Sequence, residues 1–76
     1  MKHFHICFHS FQQARAFVEL AMQQPFAVTV GNERQQINGK DLMGIFCLDH
    51  SKPVKVCAEC SQQEFAVFQQ AVAMLP

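Results

Sequence analysis

The chain has no tryptophan and no tyrosine, so its eight phenylalanines must supply all of the aromatic bulk. It has no excess of either charge, since six basic residues balance six acidic ones. A net charge of zero leaves no electrostatic footprint for nucleic acid or an anionic membrane, and neither is expected as a partner. Long apolar runs are also missing. No segment is long enough to span a bilayer. The opening residues Met1-Lys2-His3-Phe4-His5 alternate polar with apolar and do not read as a signal peptide. A cytoplasmic location is therefore expected, with Cys7, Cys47, Cys57 and Cys60 as reduced thiols rather than a disulfide framework. The length, 76 residues, leaves no room for a second domain, so residues 1–76 read as one. Half of the residues are hydrophobic, enough for a small core and too many for disorder.

What is present is a succession of short periodic segments. Residues 2–8 alternate with period two, Phe4, Ile6 and Phe8 on one face and His3, His5 and Cys7 on the other. Ser10 then suits a helix N-cap, with Gln13 at the capping-box position. Phe11, Ala14, Val18, Ala21 and Met22 follow at helical spacing with Phe17 beside them, and Pro25 ends the helix. Residues 26–30 predict a strand and Gly31-Asn32 a turn, with residues 33–37 returning antiparallel. After Asn38-Gly39, residues 40–48 predict a short helix that contains Gly44. Residues 49–52 form a loop, and Pro53 opens a strand in which Val54, Val56 and Ala58 share one face. Ser61 and Glu64 form a capping box for the last helix, whose buried face is Phe65, Phe68, Val72 and Leu75.

The order is β-α-β-β-α-β-α. One apolar face per strand implies an α+β open-faced sandwich, a four-stranded antiparallel sheet with three helices on one side. A right-handed crossover from the first strand to the second leaves a gap that the fourth can fill, giving the order 1-4-2-3. The other sheet face is left for solvent or a partner, and a monomer or weak dimer is expected.

The stretch Ile37-Asn38-Gly39-Lys40-Asp41-Leu42-Met43-Gly44-Ile45-Phe46-Cys47-Leu48 resembles the segment around the regulatory serine of the HPr family. These are the bacterial histidine-containing phosphocarriers of the sugar phosphotransferase system. Ala16-Phe17-Val18 resembles that family's first helix, and the element order agrees over nearly the whole chain. The resemblance implies the HPr-like fold, no cofactor, and protein partners, components of the phosphotransferase system among them.

The family's chemistry uses a histidine at the N-terminus of the first helix, where free amides, the helix dipole and an arginine receive the phosphate. The family motif is Gly-Leu-His-x-Arg-Pro. Aligning Phe17-Val18 with the family's Phe-Val places Ser10 at the histidine, Gln12 at the arginine and Gln13 at the proline. The expectation is a non-enzymatic regulatory or protein-binding relative. The alternative is a displaced phosphocarrier centre with His9 as acceptor, supported by Ser10 and Arg15. Asp41 stands at the regulatory serine, where a carboxylate mimics part of a phosphoserine or simply favours a helix start. By the same resemblance, Lys40, Met43, Phe46 and Cys47 lie where the family docks partners.

Two further patterns carry chemistry of another class. His3, His5 and Cys7 share a strand face that Cys57 joins if the fourth strand pairs with the first, a soft ligand set suited to zinc. Cys60 completes the metal candidates, but residues two apart on a flat strand seldom converge on one ion, and a half-polar exposed sheet face is the preferred explanation. Cys57-Ala58-Glu59-Cys60 lies between a strand and a helix cap, as in thioredoxin-type redox pairs, although Glu59 opposes a thiolate.

Overall fold

Strand β1 (Lys2–Ile6) grows directly out of the alternation at the start of the chain, its side chains by turns half-buried and exposed. The computed structural model describes residues 2–32, 34–48 and 51–75. After β1 come α1 (Phe11–Met22), β2 (Val28–Gly31), β3 (Gln36–Asn38), α2 (Leu42–Phe46), β4 (Val54–Ala58) and α3 (Gln62–Ala73). The strands form one antiparallel sheet in the order β1-β4-β2-β3, as the crossover argument requires. Strand β4 is central, pairing Phe4 with Val56 on one side and Val56 with Val30 on the other. Val28, Val30, Val54, Val56 and Ala58 are all buried beneath the helices.

Element ends differ from the periodicity where a specific bond intervenes. Strand β1 stops at Ile6 because Phe8 turns into the core and packs its ring on Phe17, 5.4 Å between centroids. Strand β2 begins at Val28 rather than 26, since its first ladder partner is Ala58, the end of β4. Phe26 stays outside the ladder and is buried against Phe68 instead. Strand β3 begins at Gln36 rather than 33. The Asn32 side-chain oxygen accepts from the amides of Arg34 and Gln35, and this turn uses up the intervening residues. Glu33, like Asp49 and His50 of the expected 49–52 loop, lies outside the described residues. Helix α2 is five residues rather than nine. Lys40 and Asp41 belong to a turn held by Asn38, and Cys47 and Leu48 close the far end through i→i+3 bonds.

The two longer helices begin on their expected caps. Ser61 and Glu64 make both bonds of the capping box. Ser10 accepts from the Gln13 amide, but the Gln13 side chain reaches the amide of His9 rather than that of Ser10. The box is shifted by one residue.

The helices are joined to the sheet by phenylalanine. Phe68 of α3 is 1% exposed and has ring neighbours in Phe4 of β1, Phe17 of α1 and Phe26 ahead of β2, at 5.7 to 6.2 Å. Tilted and edge-on aromatic pairs of this kind add to the burial of their surface. Replacing Phe68 by Ala removes a side chain that touches all three elements, and should cost about 3–5 kcal/mol. Val67→Ala, one residue earlier and exposed, should stay within about 0.5 kcal/mol of the parent. Urea denaturation of the two variants checks both values.

Candidate functional site

At the start of α1 the sequence sets a short extended link, Cys7 to Ser10, between a strand end and a helix. Ser10 is extended and caps the helix with its hydroxyl. The amides of Phe11 and Gln12 have no internal acceptor among the described bonds and remain available to solvent or a ligand. His9 is exposed, and it lines a shallow cleft of about 300 Å³ together with Gln13 and residues of β1 and α3. Arg15 does not turn toward this end. Its Nε is 3.3 Å from Glu19 Oε1, one turn further along the exposed face. The three residues considered for a displaced phosphate centre thus split: His9 and Ser10 adjoin the helix start, and Arg15 is engaged elsewhere.

Beside the helix start lies an apolar patch. The Phe11 ring is stacked on that of Phe46 at 4.6 Å and 30°, and Phe11 remains 59% exposed. Met43 is 71% exposed and Cys47 is exposed as well. The periodicity put Phe11 in the buried stripe of α1. It lies outside the core and leans on α2 instead, and Met22 at the other end of the same stripe is exposed as well. A signal was there in the sequence: Phe11 is the first helical residue, where a stripe can overhang its sheet.

Lys40 and Asp41 have different surroundings. Lys40 is half-buried, and its Nζ donates to the Gln24 carbonyl at 3.0 Å, tying the end of α1 to the turn before α2. Asp41 occupies the N-cap position of α2, and its carbonyl accepts from Ile45, but its carboxylate makes no capping bond. That carboxylate is exposed on the side of α2 near Gly44.

The open sheet face carries the histidines. The register sets His3 opposite Cys57 and His5 opposite Lys55, with Thr29 on the far side of Cys57. His3 and His5 stand with ring centroids 6.1 Å apart and edge-on. Cys7 lies beyond the end of β1. Among the described residues, no three His, Cys, Asp or Glu side chains are gathered as a metal would need. Cys57 and Cys60 are both free thiols; Cys57 alternates onto the open face and Cys60 packs against the core cluster. Burial, with Glu64 nearby, pushes the Cys60 thiol up, partly offset by Lys2. That shift opposes what a redox nucleophile requires.

No family model matches the chain, and no curated protein does. Among solved structures it is similar to the crystal structure of HPr-C-His from Thermoanaerobacter tengcongensis, with a TM-score of 0.70 and 29% identity. The match covers 88% of this chain and 83% of that one. The fold is therefore HPr-like, an α+β open-faced sandwich with strand order 1-4-2-3. Among the described residues no helix is long and apolar enough to cross a membrane.

The Cys60 environment has a measurable consequence. A raised pKa means little thiolate near neutral pH, so alkylation of Cys60 should be slow. Glu64→Gln removes the nearby negative charge, and glutamine can still close the capping box. Alkylation of Cys60 by iodoacetamide, followed by peptide mass mapping, should then be faster than in the parent, though still slowed by burial.

Proposed function

We propose that this HPr-like chain is a protein-binding, non-catalytic relative of the phosphocarriers. It docks a partner through Phe11, Met43 and Phe46, with Cys47 at the margin and Asp41 as a fixed negative charge. The observation that carries the reading is the exposed Phe11–Phe46 stack with Met43 beside it. Met43 lies three residues before Phe46 on α2, the spacing that puts two side chains on neighbouring turns of a helix, and aromatic residues and Met are enriched at protein interfaces. The free carboxylate of Asp41 supports a role at the rim, since it contributes no capping bond. Lys40 drops out of the docking set, because its ammonium group is used to tether α1.

Two observations disfavour phosphoryl transfer. A serine hydroxyl caps α1 where a carrier's resemblance would put the imidazole, and the nearest arginine is paired with Glu19. One observation favours the His9 carrier as second reading: an exposed imidazole stands next to a helix start with two unused amides. A zinc or redox module has no such support.

The test is intact mass after incubation with phosphoenolpyruvate and the general upstream enzyme of the phosphotransferase system, with an ordinary HPr in the same tube. The parent and His9→Ala should both stay unmodified while the ordinary HPr is labelled. An adduct on the parent that disappears in His9→Ala would make the chain a carrier and overturn the proposal. In parallel, amide resonances of Phe11, Met43 and Phe46 should shift on titration with that enzyme, and Met43→Glu should weaken the effect about tenfold.

A further inference from the structure

We propose that one end of the open sheet face is a binding site for the phosphate groups of a small anionic ligand. The site lies on the opposite side of the sheet from the helices and is independent of the docking patch.

A sheet face with nothing packed on it is ordinarily shallow. Here it is hollowed, and the reason is Gly31. Counting along β2, Val28 and Val30 point into the core, which puts position 31 on the open side. A Cβ there would come within 2.2 Å of the Gln35 carbonyl oxygen. The β2–β3 turn therefore folds over the open face, using the space that a side chain would fill. Asn32 fixes the turn: its amide donates to the Gln35 carbonyl at 2.9 Å, and its side-chain oxygen accepts from Arg34 and Gln35. The result is a wall that carries Arg34 above the sheet.

The depression behind this wall has a volume of about 920 Å³, within the range of small-molecule sites. Its polar lining includes His5, Arg34, Lys52 and Lys55, and its apolar side includes Pro53. The four nitrogen-bearing residues come from four separate segments. His5 and Lys55 are direct register partners on β1 and β4, Lys55 is also opposite Gly31, Arg34 stands on the turn, and Lys52 precedes β4.

Three of the six basic residues of a net-neutral chain are thus gathered in one concavity. Among the described residues no carboxylate lines it, and none of the three cations has an ion-pair partner there. Of the three basic residues elsewhere, Arg15 is paired with Glu19 and Lys40 donates to the Gln24 carbonyl, while Lys2 stands at the start of β1. Like charges held close without counter-charges repel, so an anion entering among them is favoured. The chemistry suits phosphate: a guanidinium fork for two oxygens, two ammonium groups as point charges, and an imidazole at the edge. Pro53 offers a surface for the organic part of a phosphorylated metabolite.

Glu33 and Asp49 adjoin the site in sequence and lie outside the described residues, so binding itself must be measured. The probe is inorganic triphosphate, titrated at low salt into isotope-labelled protein and followed through amide resonances. Saturable shifts are expected at Gly31, Asn32, Arg34 and Lys55, with those around Phe11 and Phe46 unmoved. Arg34→Gln and Lys55→Gln should each weaken binding about tenfold, the effect of losing one charge-assisted hydrogen bond. Arg15→Gln should leave it unchanged. All three positions are exposed, and an unchanged spectrum of each free variant will show that the fold is kept. No saturable shift, or shifts spread equally over every basic residue, would overturn the site. Equal affinity of Arg34→Gln, Lys55→Gln and the parent would do the same.

Discussion

Phe68 sits at the one point where α3, α1, β1 and the approach to β2 meet, and the architecture depends on that meeting. The chain has no tryptophan or tyrosine, and among the described residues the side chains buried in the core are all apolar, with no polar handle in the interior. Its order comes from shape alone. Rings at 5.7 to 6.2 Å from Phe68 set how far each element lies from α3. The helix starts, and hence everything exposed at their ends, inherit their positions from this packing.

The two sides of the sheet have diverged in chemistry. Beneath the helices, every β4 residue that points inward is Val or Ala and is buried. On the other side the rows read His3, Cys57, Thr29, Asn38 and His5, Lys55, Gly31, Gln36. Such a face is polar enough to remain in water, yet it places imidazoles, a thiol and an ammonium group side by side. At the junction of α1 and α2, by contrast, Phe11 and Met43 leave apolar surface exposed. A protein partner and a small anion would thus meet different chemistry on different sides of one thin sheet.

Much of this was legible in the residues. Period two in residues 2–8, the Ser61–Glu64 pair and the alternation of Val54, Val56 and Ala58 are local signals, and the elements followed them. The strand order was also within reach, because handedness and a gap of one strand leave few choices. What escaped were features fixed by partners distant in sequence. Phe8 left its strand for Phe17, Phe11 was displaced onto Phe46, and Lys40 turned from an exposed docking residue into a tether for Gln24. Gly31 read only as a turn residue; that its missing side chain admits the Gln35 carbonyl is invisible until β2 and β3 are paired. The Gln13 side chain, one residue off its expected target, shows the same limit at close range.

The central place of β4 bears on how the chain is made. Strands β1 and β2 have no ladder with each other, and each pairs with β4. During synthesis from the N-terminus, β1 and β2 are both complete before their common partner exists, and only β3 can pair with β2 in the meantime. β1 must wait about fifty residues for Val54 to Ala58, through a span that, at ribosomal speed, lasts several seconds. In that interval Phe4, Ile6 and the valines of β2 have no sheet to cover, and Phe68 has not yet been made. The apolar faces of β1 and β2 therefore stay without their shared ladder until residues 54–58 have been made, and β4 acts as the keystone whose arrival closes the sheet.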